Sequence, residues 1–204
     1  MKEKILDKSA EMFLHLGFKS VTLDDIANSI GISKKTIYQH FSNKNELVEA
    51  CVFHLFDRIT CSLESIKEES ENPIEELFRI KWVIRQQLKN EANSPYFQLK
   101  KYYPKTFKCF RNRQKGYMLE CVVENITKGI EMGLFRKELD VDFTGRMYFA
   151  GMISTKDEEV FPLDIYPKDH LADLFLDYHL RAIVTPKGLE TLDQFNNIDK
   201  QKKQ

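Results

Sequence analysis

Between residues 22 and 41 the chain reads TLDDIANSIGISKKTIYQHF, and the spacing of its small, capping and apolar residues leaves few ways to fold. Thr22 precedes Asp25 by three positions, the pairing in which a hydroxyl caps a helix start while the carboxylate reaches back to it. Asp24 and Asp25 both face the positive end of that helix. Gly31 stands where the helix must end with positive φ, and Ser33 is suited to cap the next one. Ala27 is small where two helices would cross, and Ile26, Ile30, Ile32 and Ile37 are apolar at positions that lock such a pair. The combination predicts a helix-turn-helix.

The rest of the chain keeps the same helical period. Ile5, Leu6, Ser9, Ala10, Phe13 and Leu16 form the stripe of a first helix that stops at Gly17. Asn43 and Glu46 form a further cap pair, opening a long helix from about 44 to 70. Asn72-Pro73 and Ser94-Pro95 each place a cap before proline at the first helical position. Pro104 opens another helix, closed by Gly133. Two more are expected at about 142–155 and 168–184, with a last short one after Pro186, and the polar end from 197 to 204 is expected to fray. No stretch alternates as a strand does, so the expected fold class is all-α. A headpiece over 1–46 and a helical body over 47–204 are expected.

On the helix after Ser33, with Ile37 and Phe41 defining the buried side, Lys35 and Gln39 point away from the core, flanked by Thr36 and Tyr38. Lys34 and His40 lie nearer the boundary. Lysine donates to guanine, glutamine pairs with adenine and threonine offers a methyl and a hydroxyl, which is what a major groove asks for. Tyr38 and Lys44 suit phosphate contacts, as do hydroxyls and amides at helix starts such as Thr22 and Ser33. The chain's formal net charge is zero, so any affinity for nucleic acid must come from such a local patch. From Gly31 to Asn45 there are lysines and no acid.

The run AEMFLHLGFKSVTLDDIANSIGISKKTIYQHFSNKNELVEACV resembles the DNA-binding domain of the TetR (tetracycline repressor) family. The resemblance covers about the first fifty residues. It implies that Thr36, Tyr38, Gln39 and His40 meet bases and phosphates, and that Lys44 meets a phosphate. It also implies a cytoplasmic homodimer bundled through the last two long helices, here 142–155 and 168–184. Such a regulator binds a double-stranded palindromic operator and a small-molecule effector, and represses. The rival reading is an architectural or division-linked DNA-binding protein of the same fold without an effector.

The body carries most of the aromatics. A candidate effector pocket consists of Trp82, Gln86, Tyr103, Phe107, Phe110, Gln114, Tyr117 and Cys121, with the same stripe equally able to be core. Gln114 and Asn125 are amides on an apolar face and need partners. From Tyr96 to Leu119 there are basic residues and no acid, among them Lys100, Lys101, Lys105, Lys108, Arg111, Arg113 and Lys115. Three readings stay open for them: an anionic effector, DNA phosphates, or a solvated face balanced by the acids around Glu64 to Glu76. Gly145, Ala150 and Gly151 allow close helix approach, and Leu171, Leu174, Phe175, Tyr178 and Ala182 supply a stripe for a dimer or for the monomer core. Cys51, Cys61, Cys109 and Cys121 are widely spaced, as suits reduced thiols. Neither a metal site, a cofactor motif, a catalytic set nor a membrane span is expected.

Overall fold

The expected helix starts are visible as individual hydrogen bonds in a computed structural model, which describes residues 1–87 and 95–201. Ten helices occur among these residues: α1 (Lys2–Leu16), α2 (Leu23–Ile30), α3 (Lys34–Tyr38), α4 (Lys44–Glu69), α5 (Pro73–Gln87), α6 (Pro95–Tyr102), α7 (Pro104–Glu131), α8 (Val141–Ser154), α9 (Lys168–Ile183) and α10 (Pro186–Gln201). An isolated antiparallel bridge from Phe135 to Val184 is the sole sheet-like pairing among them. The fold class is therefore all-α, as expected.

Thr22 and Asp25 close a reciprocal box: the Asp25 amide donates to the Thr22 hydroxyl at 3.1 Å, and the Thr22 amide donates to the Asp25 carboxylate at 2.8 Å. Gly31 has φ 73° and ψ 38°. There the Ile32 amide reaches the Ala27 carbonyl at 3.0 Å and the Gly31 amide reaches Asn28 at 3.2 Å, the paired bonds that end a helix in a left-handed residue. Asn72 accepts from the amides of Ile74 and Glu75 in front of α5, and Asp140 accepts from Phe143 in front of α8. One cap differs from expectation. Asn43 does accept from the Glu46 amide, but the Glu46 carboxylate accepts from the amide of Ser42 and not of Asn43. Ser94, expected as a cap, lies outside the described residues.

The chain divides into two compact units, Met1–Glu64 with Gln86–Arg113, and Ser65–Arg85 with Gln114–Gln204. The first unit takes in more than the headpiece expected over 1–46. The reason is apolar: α6 gives Leu99 to the buried core of the first unit, and Tyr103, Phe107 and Phe110 pack half-buried against it. That core holds Ile5, Phe13, Phe18, Val21, Ile26, Ile37, Leu47 and Val48. The second unit has its own core, with Ile74, Phe78, Ile126, Phe135, Leu180 and Leu192. The chain end expected to fray from 197 instead continues α10 to Gln201, making that helix 16 residues long where a short one was expected. Residues 202–204 lie outside the description.

Two small residues expected at a helix crossing are filled from within the chain. A Cβ at Gly145 would meet Val122 and Val123 of α7, and one at Gly151 would stand 2.5 Å from the Phe175 ring. Buried Asn125 also has an internal partner, donating to the Pro73 carbonyl at 3.0 Å. Beside it, Glu76 is buried at 3% exposure, and burial pushes its carboxyl up despite the Asn125 amide and the Lys128 and Lys67 charges.

Two outcomes follow from this geometry. Gly31→Ala is expected to cost about 1 kcal/mol, the price of a left-handed backbone for an L residue, because a Cβ there meets nothing within 4 Å. Gly31→Asn should lose less; melting curves of the two variants check the order, and an alanine variant as stable as wild type contradicts it. Glu76 holds its proton more tightly in the folded chain than in the unfolded one, where glutamate titrates near about 4.3. Its contribution to stability is therefore full below that pH and declines as pH rises. Glu76→Gln keeps an acceptor for Asn125, so its melting temperature relative to wild type should climb between about pH 4 and pH 7.

Candidate nucleic-acid interface

The reading surface is built on a helix of five residues, Lys34–Tyr38. A helix that short is marginal by itself. It is held by Ile37, fully buried, by Phe41 at 2% exposure just beyond it, and by Ser33, whose hydroxyl accepts from the Thr36 amide at 3.1 Å. The expected recognition helix of 34–41 thus consists of a helix to Tyr38 and a turn. Gln39 keeps right-handed backbone angles, and the amides of His40 and Phe41 both reach the Ile37 carbonyl at 3.0 Å.

What this clamp leaves outside is the expected set. Lys35, Tyr38 and Gln39 are exposed, with Tyr38 at 48%, while Thr36 and His40 are half-buried. The Thr36 and Ser33 hydroxyls share a hydrogen bond at 2.9 Å. Lys34 is not open: its ammonium donates to Asp24 at 2.8 Å, and that bond raises its pKa. Lys35 has no carboxylate partner among the described residues, so it presents the uncompensated charge of α3.

Thr22 and Lys44 meet the same surface from the adjoining helices. The Thr22 hydroxyl is spent on the α2 cap, where it donates to Asp25 at 2.7 Å. Those bonds from the Thr22 amide and hydroxyl, with a smaller share from Lys44, hold the Asp25 carboxyl below the usual range. Lys44 is half-buried. Its ammonium donates to the Phe18 carbonyl at 2.6 Å and lies 6.0 Å from the centre of the Phe13 ring. Desolvation pulls its pKa down, with Asp25 acting the other way. A lysine expected only to meet phosphate is therefore also a bolt between the start of α4 and the turn after α1.

Two further cations of the same unit lie over aromatic rings. Lys2 lies 5.6 Å from the Phe41 ring centre, and Lys19 sits in the turn after α1, 5.5 Å from the Tyr102 ring. Their contacts span dozens of residues, beyond any helical period.

The candidate effector residues are drawn from both units. Gln86, Tyr103, Phe107 and Phe110 belong to the first unit; Trp82, Gln114, Tyr117 and Cys121 belong to the second. Gln86 lines an open cleft of about 1040 Å³ beside α1, together with Asp7, Arg58 and Ser29. Phe110 packs edge-on to Phe56 at 5.9 Å, and Tyr103 tilts against Phe18 at 5.8 Å, both as core. Trp82 is 54% exposed. The Gln114 carbonyl oxygen is buried without a hydrogen-bond partner. Among the described residues no three His, Cys, Asp or Glu side chains group as metal ligands, and no helix is long and apolar enough to cross a membrane.

Comparison with known proteins agrees with this geometry. Residues 5–51 match the family model described as bacterial regulatory proteins, tetR family. The HTH-type transcriptional repressor KstR2 of Mycobacterium tuberculosis is 27% identical over 157 residues, 70% of this chain and 73% of that protein. The biofilm operon icaADBC HTH-type negative transcriptional regulator IcaR of Staphylococcus aureus is 34% identical over 79 residues, 39% of this chain and 42% of that protein. SCO4454, a TetR-family transcriptional regulator from Streptomyces coelicolor, shares the fold with a TM-score of 0.68 at 16% identity, covering 89% of this chain and 94% of that one. With a capped helix-turn-helix under the matched residues, residues 5–51 form the domain described as bacterial regulatory proteins, tetR family, in front of an all-helical body.

Proposed function

We propose that the chain is a ligand-responsive, one-component transcriptional repressor that reads a palindromic operator as a homodimer in the cytoplasm. The observation that carries this reading is the outward set of Lys35, Tyr38 and Gln39 on a helix clamped by Ile37 and Phe41. Lys35 and Gln39 are the base readers; Tyr38, Thr36 and His40 flank them. Lys34, tied to Asp24, steadies the frame between α2 and α3, and Thr22, Ser33 and Lys44 offer the backbone its phosphate contacts. The relatives described above are named as transcriptional regulators, and the architectural alternative has no counterpart among them.

A dimer is supported by an apolar groove of about 650 Å³ along α8 and α9, lined by Phe143, Met147, Tyr148, Phe175 and Tyr178. Phe143 is 61%, Met147 56% and Tyr178 73% exposed, more apolar area in one patch than a lone domain usually leaves in water. α9 thus has two apolar sides. Leu171, Leu176 and Leu180 serve its own core, whereas Leu174 and Tyr178 face away. A two-fold pair would set its recognition helices in successive major grooves, about 34 to 36 Å apart. For the effector, Gln114, Tyr117 and Cys121 on α7 are the candidates we keep, because the Gln114 carbonyl lacks a donor. A ligand releases DNA only by preferring one of two arrangements.

Selection of genomic fragments by the purified protein tests the reading as a whole. Recovery of a shared palindrome is expected, and random fragments would overturn it. On the recovered site, Gln39→Ala and Lys35→Ala should each relax preference at defined positions by about 1 to 3 kcal/mol. Lys44→Ala should weaken binding to every sequence, flatten the salt slope by about one unit for each protomer and lower the melting temperature, since it also unbolts Phe18. Met147→Glu with Tyr178→Glu should give a monomer by light scattering and lose the palindrome, while each folded chain keeps its helix content.

A further inference from the structure

The lysines of α6 and the start of α7 lack carboxylate partners among the described residues: Lys100, Lys101 and Lys105 are exposed, and the stretch from Tyr96 to Leu119 has no acid. Their neighbours place them. The Tyr102 ring has the Lys101 ammonium at 5.5 Å and, from the turn after α1, the Lys19 ammonium also at 5.5 Å. Two like charges therefore approach one ring, and Tyr102 is itself 40% exposed. This turn fits α6 closely, since a Cβ at Gly17 would stand 2.5 Å from Gln98. Its next residue, Phe18, gives the carbonyl that holds Lys44, and Thr22 follows at the start of α2. Lys44, Lys19 and the α6 lysines are thus joined through the turn after α1, inside one compact unit.

We infer that Lys19, Lys100, Lys101 and Lys105 form a second, sequence-blind contact with duplex DNA, on phosphates flanking the bases that α3 reads. This rests on the regulator reading above and extends it to another element. Lysine is a mobile point charge with no base code, which suits phosphate positioning and not readout. The continuity with Lys44 favours the duplex over an anionic small molecule, for which the exposed face has no enclosing wall. Three of the seven cations in the acid-free stretch are thereby assigned; Arg113 is already paired with Asp57 at 2.6 Å.

The test uses the full chain and duplexes that it selects from a random pool. Binding of the winning duplex is followed from roughly 50 to 200 mM salt for wild type and for Lys100→Ala/Lys101→Ala/Lys105→Ala. The variant is expected to show a slope flatter by about two to three units for each protomer of the dimer and, at low salt, affinity at least about tenfold weaker, with an unchanged ranking of winning over scrambled duplex. A triple arginine variant should restore the slope, which separates lost charge from lost fold. On a duplex trimmed to the bases that α3 protects, wild type and the alanine variant should bind alike. Coincident slopes on the full duplex overturn the inference, as does a difference that persists on the trimmed one. A wild-type protein that enriches no sequence overturns instead the regulator reading beneath it.

Discussion

Burial of Ile37 is the contact on which the reading surface depends. α3 has five residues, too few to pay for nucleation by their own hydrogen bonds. Its position is fixed because Ile37 is fully buried among Phe13, Val21, Ile26 and Leu47, with Phe41 seated beside it. On a helix of 3.6 residues per turn, residues two before and two after a buried one must face outward. Lys35 and Gln39 occupy those places. The outward direction of Lys35 and Gln39 is thus set by apolar contacts on the opposite side of the helix, and by Gly31, which lets the chain enter the helix at the required angle.

Local features of this arrangement were legible in the amino-acid order, because a cap is a matter of three or four consecutive residues. Thr22 with Asp25, Ser33 with Thr36, Asn72 before Pro73 and the positive φ of Gly31 all follow from side-chain chemistry within one turn. The Glu46 carboxylate chose the Ser42 amide over its neighbour's, a shift of one residue that spacing does not resolve. Contacts across the chain were not legible. A helical stripe says that a face is covered without saying by what. Tyr103, Phe107 and Phe110, read as a candidate pocket, cover the headpiece core, and Gly151 makes room for the chain's own Phe175. Lys44 binds a carbonyl 26 positions earlier, which no periodicity encodes.

The zero net charge conceals an uneven division of labour among the lysines. Lys34 is neutralised by Asp24 across the turn, an exposed pair of modest energetic value whose consequence is geometric. Adjacent Lys35 keeps its full charge. Lys44 sits between these cases: partly desolvated, it spends one donor on Phe18 and keeps others for an incoming anion. Residues that look alike in composition therefore differ in what they can still bind, and only their partners reveal it.

α7 contributes to both cores. Its first turns bring Phe107 and Phe110 against the headpiece core, whereas from Gln114 onward it belongs to the second unit, where Val122 and Ile126 are core. The helix runs without interruption from Pro104 to Glu131. An uninterrupted helix is a stiff rod over such a length, because shifting one end relative to the other breaks several backbone hydrogen bonds at once.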